Sequence, residues 1–372
     1  MTMTTDKLGL YVHIPYCVRK CNYCDFCSLP TGNSGVPDEY VSRLCDEIES
    51  YSDKVRVPLD TVYFGGGTPS LLSEIQMAQI FATIRDTFEI SENAEITFEC
   101  NPGTLMRDKA EAFKVLGFNR VSLGLQSIHE KEMKKLGRIH TYEQFLSCYH
   151  ALRDVGFDNI SVDLMYGIPY QTKETFIDSV STLVALSPEH ISAYGLILEE
   201  GTPFFDEDDL PIPDVDDECD MYDAVRAILA EAGYEHYEIS NYARQGRRSR
   251  HNSLYWHLGE YIGVGAAAHS FFGGKRYFNT DSVEEYINGA PLSCVSDEDT
   301  DPSYEYVMLG LRMKEGISLS DYKERFCVDF TDGKEDVLAR LEREGLITLS
   351  DERLALTERG FYISNSIIIE IL

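Results

Sequence analysis

Apolar residues along the chain first gather in a short β-rich run, Leu8–Ile14, which stops at Pro15. Residues 38–53 switch to the spacing of a helix with one apolar face. Asp60–Phe64 is a second apolar strand, running straight into Gly65-Gly66-Gly67-Thr68-Pro69. The alternation continues through helix 71–88, strand Glu95–Cys100, helix 107–116, strand Asn119–Leu125 and helix 141–155. Strand Asn159–Met165, helix 173–186 and strand His190–Leu198 complete it. Strands separated by helices in this way predict right-handed βαβ crossovers and a parallel sheet, hence an α/β fold. Ligands of such sheets lie at the carboxyl ends of the strands.

Beyond residue 200 the pattern changes. A Pro- and Asp-rich segment covers 202–220, before helix 219–232 and strand Tyr234–Ile239. From about 303, helices near 303–314, 318–326 and 334–344 precede a hairpin, Glu-Gly-Leu-Ile-Thr-Leu with Arg-Leu-Ala-Leu-Thr, and then helix 357–372. That order predicts a small winged-helix-like module. There are no internal repeats.

Two stretches at strand ends carry chemistry. Cys17, Cys21, Cys24 and Cys27 fall within eleven residues, spaced C-x3-C-x2-C-x2-C. So tight a loop brings sulfurs to one centre and suits a metal or cluster better than long-range disulfides. Zinc sites usually set two Cys pairs far apart, and ferredoxin runs use another spacing. The triple glycine has no Cβ atoms, so its backbone can approach a small ligand closely. It lacks both the phosphate-loop ending and the G-x-G-x-x-G spacing.

Composition narrows the class. The 372 residues are 43% hydrophobic and 26% charged, as in soluble globular proteins. The polar start Met1–Lys7 and the lack of any long apolar run predict a cytoplasmic protein that does not span a membrane, with reduced thiols at Cys45, Cys100, Cys148, Cys219, Cys294 and Cys327. A net charge of −30 argues against nucleic acid and anionic lipid as partners. The acidic runs around 206–220 and Ser296–Asp301 read as solvated loops.

The C-x3-C-x2-C spacing resembles the signature of the radical S-adenosylmethionine (SAM) superfamily. The resemblance implies a [4Fe-4S] cluster on Cys17, Cys21 and Cys24, with the fourth iron left open for the amino and carboxylate groups of SAM. Cys27 stands as a fourth ligand, a thiol beside the cluster, or a bystander. The superfamily fold is a partial (β/α)6 TIM-like barrel, matching the six strands between 8 and 198. Tyr-Val-His-Ile-Pro-Tyr-Cys, Gly-Gly-Gly-Thr-Pro-Ser-Leu-Leu, Gly-Leu-Gln-Ser and Gly-Ile-Pro-Tyr-Gln-Thr resemble the oxygen-independent coproporphyrinogen III oxidase (HemN) family. By that resemblance Tyr11, Gly66, Gly67, Thr68, Glu99, Gln126, Arg138 and Asp163 fall on SAM-binding positions. Tyr23 and His269 are further candidates for SAM contact.

Three features depart from the oxidase. Only sixteen residues precede Cys17, the fourth cysteine follows as C-x2-C, and residues 251–256 read His-Asn-Ser-Leu-Tyr-Trp. The hexapeptide is the mark of the related HemW-type heme chaperones. This implies heme held by His251, Tyr255 and Trp256, with nearby arginines for its propionates and apo-hemoproteins as acceptors. Transient contact with membrane hemoproteins is compatible with it, as is a monomer or a homodimer. On residue chemistry alone His251 reads as a hydrogen-bonded core histidine and Trp256 as a core aromatic; the motif match points to heme. The alternative is the oxidase itself, decarboxylating coproporphyrinogen III through a 5′-deoxyadenosyl radical. No catalytic residue is singled out. The expected organisation is a barrel core over 1–240, a connecting segment with the motif over 241–300, and a C-terminal winged-helix-like domain over 301–372.

Overall fold

A computed structural model describes residues 7–295 and 301–372 of the protein. The polar start, up to Asp6, and residues 296–300 of the acidic run lie outside the described residues. The six expected strands form, as β1 (Leu8–Ile14), β2 (Leu59–Gly66), β3 (Ile90–Cys100), β4 (Arg120–Gln126), β5 (Ile160–Tyr166) and β6 (His190–Gly195). They lie side by side in chain order, each parallel to the next. Helices α1 (Asp38–Glu49), α2 (Glu74–Thr87), α3 (Arg107–Leu116), α4 (Glu130–Leu136), α5 (Tyr142–Asp154) and α6 (Lys173–Leu186) fill the crossovers. Reciprocal capping boxes at Ser73/Gln76, Thr141/Gln144 and Thr172/Thr175 start α2, α5 and α6 where the apolar spacing begins.

Side chains alternate across the sheet. Val62, Phe64, Phe98, Val121, Leu123 and Leu164 are fully buried in the main core cluster, which also takes in the apolar faces of the helices. Their neighbours Tyr63, Glu99, Arg120, Ser122 and Asp163 face the other way and line a cavity. The sheet therefore has an apolar outside, packed under helices, and a polar inside.

Six further strands extend it to twelve. After α7 (Val215–Glu231) come β7 (Glu235–Glu238) and β8 (Asn241–Ala243), antiparallel beyond β6. Past α8 (Arg250–Trp256), β9 (Tyr261–Val264) pairs parallel with the free edge of β1. It is continued by antiparallel β10 (His269–Phe272), β11 (Lys275–Phe278) and the two-residue β12 (Ser293–Cys294). At two to four residues each, β8–β12 are too short for alternation to announce them.

Four local expectations need correction. The helix expected over 38–53 ends at Glu49, and the strand expected to reach Leu198 ends at Gly195. Helix α4 was not anticipated; five of its seven residues are charged, with little apolar periodicity. The final helix is two, Glu358–Tyr362 and Ser364–Ile371, turned at Ile363 so that Phe361 and Ile367, Ile368 and Ile371 all reach one small core. That core lies over a three-stranded antiparallel sheet, Ile317–Ser318, Arg353–Leu356 and Ile347–Leu349, and packs on Tyr222 of α7 and Phe271 of β10. No described helix is long and apolar enough to cross a membrane.

Candidate functional site

The inner face of β2–β6 encloses a cavity of about 480 Å3 that opens at the strand carboxyl ends. Cys17, Cys21 and Cys24 stand in its wall, and all ten cysteines of the chain are unpaired. The loop that carries them is docked far along the chain. Asn22 takes the Leu136 carbonyl with its backbone N–H (2.9 Å) and the Lys135 carbonyl with its side chain (2.8 Å), both at the end of α4. That helix stops at Gly137, whose φ of +80° is left-handed, and Arg138 follows directly.

Arg138 ties the site together. Its Nη2 donates to Asn101 Oδ1 (2.7 Å) and the Gly124 carbonyl (2.8 Å), and its Nη1 reaches Cys21 Sγ at 3.6 Å. Asn101 Nδ2 donates to Thr68 Oγ1 (2.8 Å), and Thr68 Oγ1 donates to Cys17 Sγ (3.4 Å). Two cysteine sulfurs are thus joined by a continuous donor network through Thr68, Asn101 and Arg138. Burial pushes the Cys24 thiol up to about 11 and raises Cys17 as well. Among the described residues, no three His, Cys, Asp or Glu side chains converge on a single metal ion. A cubane cluster makes a different demand, one thiolate on each of three separate irons, and the loop, the donor network and the guanidinium charge fit it.

The glycine loop sits where β2 ends. Gly66 N–H donates to Glu99 Oε2 (3.2 Å), and Gly67 N–H to the Ile14 carbonyl (2.9 Å). At Gly66 φ is +108°, and an added Cβ would meet the His13 ring at 2.5 Å. At Gly67 a Cβ would meet the Tyr16 backbone at 2.7 Å. The glycines therefore permit close packing of the loop on the end of β1, in addition to any approach by a ligand.

Glu99 accepts from Tyr63 Oη (2.8 Å), and burial pushes its carboxyl up to about 7 against that hydrogen bond. Asp163 accepts from Ser122 Oγ at 3.2 Å. Gln126 ends β4 with a φ of +71° at a register shift, a strained conformation that aims it into the cavity. Tyr23 lines the wall and packs against Leu136, Met165 and Phe204. Of the residues singled out from sequence, Gly66, Gly67, Thr68, Glu99, Gln126, Arg138, Asp163 and Tyr23 meet with the three cysteines around this one cavity. Tyr11 lies one ring behind, stacked on Tyr63 and bonded to His13 Nδ1 at 3.0 Å. His269 is exposed on β10, stacked on Phe278 and away from the cavity wall. Cys27 is outside the wall too; its Sγ donates to the Asp281 carbonyl at 3.2 Å.

Helix α8, which carries the hexapeptide, plugs the barrel from within. Buried Glu95 accepts the backbone N–H groups of Arg250 (3.0 Å) and His251 (3.1 Å), and Ser249 Oγ that of Asn252 (3.3 Å), so both satisfy the free start of the helix. His251 is 1% exposed. Its Nδ1 bonds Thr61 Oγ1 at 2.7 Å, its Nε2 bonds Tyr255 Oη at 2.6 Å, and its ring stacks on Tyr63 at 5.0 Å. Burial and the charge of Arg120 hold it uncharged, down to about 3. Trp256 packs against Tyr237, Ala243 and Met313.

Asn101, Arg120, His140 and Asn252 also line the cavity and were missed in the sequence. The polar members of the alternating strand Arg-Val-Ser-Leu-Gly-Leu-Gln were a usable signal for Arg120. The cavity mouth is apolar and open, with Phe26, Ile139 and Ile197 exposed by 63, 55 and 69% beside Arg19 and Lys20.

Comparison with known proteins places this arrangement. Residues 11–183 match the model of the Radical SAM superfamily, and residues 298–363 that of the HemN C-terminal domain. Coproporphyrinogen III oxidase (HemN) from Escherichia coli, whose structure is described as that of a radical SAM enzyme, superposes with a TM-score of 0.85. That match covers 98% of this chain and 90% of the other at 22% identity, and shows a shared fold. Heme chaperone HemW of Lactococcus lactis is 34% identical over 96% of this chain and 95% of its own length. Heme chaperone HemW of Bacillus subtilis is 35% identical over 96% of this chain and 97% of its own. The chain thus belongs to the radical SAM superfamily and, within it, to the family of the HemW heme chaperones.

Proposed function

We propose that the protein is a radical-SAM-type heme chaperone, holding a [4Fe-4S] cluster on Cys17, Cys21 and Cys24, binding SAM across the cavity, and passing heme to apo-hemoproteins. The observation that carries the cluster and SAM parts is the donor network from Cys17 through Thr68, Asn101 and Arg138 to Cys21, at the mouth of a cavity walled by strand-end polar groups. When bound, the cluster supplies an electron and an open iron for the amino-acid end of SAM. Arg138 offsets the thiolate charge, and Thr68 and Asn101 hold the loop in register. Asp163 and Gln126 are the proposed partners of the ribose, Glu99 of an ammonium, and Tyr23 of the adenine face. Tyr11 acts by backing Tyr63. We leave His269 out of this set, because it stacks on Phe278 at an exposed strand. We place the protein in the cytoplasm, in keeping with ten unpaired cysteines.

The heme part rests on the hexapeptide and on the relatives' name. Both ring nitrogens of His251 are engaged, so ligation of iron by His251 requires α8 to leave its seat and give up the bonds to Thr61 and Tyr255. Anaerobic titration of the cluster-loaded protein with heme, beside incubation with coproporphyrinogen III, SAM and reductant, tests the function. A Soret band without protoporphyrinogen formation supports the chaperone; turnover selects the oxidase. Thr61→Val tests the release of α8. It removes one restraining hydrogen bond worth about 1–2 kcal/mol, so heme should bind about fivefold to thirtyfold tighter. Weaker heme binding would overturn release of His251, and an unchanged spectrum in His251→Ala would move heme to the apolar mouth, where Phe26→Ala is the next variant.

A further inference from the structure

Among the described residues Arg120 is the largest fully buried side chain, 2% exposed, yet it lines the cavity. It opens β4, whereas Gln126 closes it. Six residues of strand, about 20 Å, separate the cavity floor from the strand ends where the cysteines stand. Its Nε has no hydrogen-bond partner, and among the described residues its guanidinium has no ion pair.

Two carboxylates lie within reach of its charge, Glu99 and Asp163, but neither bonds it: Glu99 accepts from Tyr63 Oη and Gly66 N–H, and Asp163 from Ser122 Oγ. His190 uses its two nitrogens on Ser161 Oγ (2.7 Å) and Tyr237 Oη (2.8 Å), as His251 does on Thr61 and Tyr255. Burial first, and the charge of Arg120 second, keep both imidazoles neutral. A buried guanidinium with no directly bonded anion and an unpartnered Nε keeps donors free for a ligand carboxylate. The fork of a guanidinium matches a carboxylate through two parallel hydrogen bonds.

We propose that Arg120 anchors a second ligand subsite at the cavity floor, which takes the carboxylate of a small organic acid or acid side chain. The subsite lies on the strand-start side of the cavity, away from the cysteines, and stands on the placement of Arg120 whether or not SAM occupies the strand ends. Asn252, from the same helix as His251, lines that cavity as well and offers an amide to the same ligand.

The test is a thermal-shift series on the anaerobically reconstituted protein, with and without SAM, at constant ionic strength. Propionate is the probe and propionamide its uncharged counterpart. We expect propionate, and not propionamide, to raise Tm saturably, with the same increment when SAM is present. Arg120→Gln should abolish the response while cluster absorbance stays in place. Arg120→Lys, which keeps the charge and loses the fork, should respond roughly tenfold more weakly. The proposal fails if wild type shows no saturable shift, or if SAM cancels it, which would make the site that of SAM's own carboxylate. It fails equally if Arg120→Gln responds like wild type. Should Arg120→Gln not fold, the wild-type arms and Arg120→Lys decide. Loss of SAM binding in wild type would count against the SAM assignment alone.

Discussion

Replacing His251 by Ala separates two roles for the hexapeptide. The imidazole is buried, bridges the Thr61 and Tyr255 hydroxyls and stacks on Tyr63. Its removal strands two buried hydroxyls and leaves a void under the cavity, together costing roughly 3–6 kcal/mol. That is a large share of the about 5–15 kcal/mol that stabilises a typical domain. Trp256, the only tryptophan, lies on the same helix, so urea unfolding followed by its fluorescence reads the seat of α8 directly. We expect the midpoint to fall sharply, and SAM to bind more weakly because Tyr63, on which the imidazole stacks, lines its cavity. Tyr255→Phe leaves only the His251 nitrogen unpaired, costing about 1–2 kcal/mol. In the double variant the stranded phenol is gone, so the two losses should sum to more than the observed change. A His251→Ala protein within about 1 kcal/mol of wild type, with SAM affinity intact, would refute the plug and leave His251 as a residue that serves heme alone.

Three further outcomes are expected. Cys17→Ala, Cys21→Ala and Cys24→Ala should each lose the cluster by iron analysis, while Cys27→Ala, outside the cavity wall, keeps most of the iron; the reverse pattern would overturn the ligand set. Gly66→Val drives a side chain into the His13 ring, and His13 Nε2 bonds the Cys27 carbonyl at 3.0 Å, so iron content and SAM affinity should fall together. Full iron with lost SAM binding would show that the glycine backbone serves SAM alone. Glu99 binds its proton more tightly in the folded state, with its carboxyl up to about 7. Its contribution is complete below the ordinary carboxylate range and is lost as pH rises through about 7, at no more than about 1.4 kcal/mol per pH unit. In the cluster-free protein Glu99→Gln should flatten that part of the stability profile, and an unchanged slope would place the titration elsewhere.

By itself the sequence determined the alternation of strand and helix through 198, because each element carries its own period of apolar residues and three helices carry their own capping boxes. It also determined the cysteine loop and the glycine turn, whose chemistry lies in adjacent residues. The cavity was legible as a list of strand-end polar residues, since alternation forces those side chains to one face. The tertiary structure decided the rest. Asn22 on the carbonyls of α4, Arg138 on Cys21 and Asn101 on Thr68 join residues dozens to more than a hundred positions apart, and no local pattern encodes such pairs. The hexapeptide shows the limit most plainly. Its letters mark a family, but whether His251 meets solvent or the inside of the barrel depends on Thr61 and Glu95, on two strands that reach it only once they have assembled against α8. Arg120 follows the same rule: its position in an alternating strand turns it inward, and only the assembled barrel leaves its Nε without a hydrogen-bond partner.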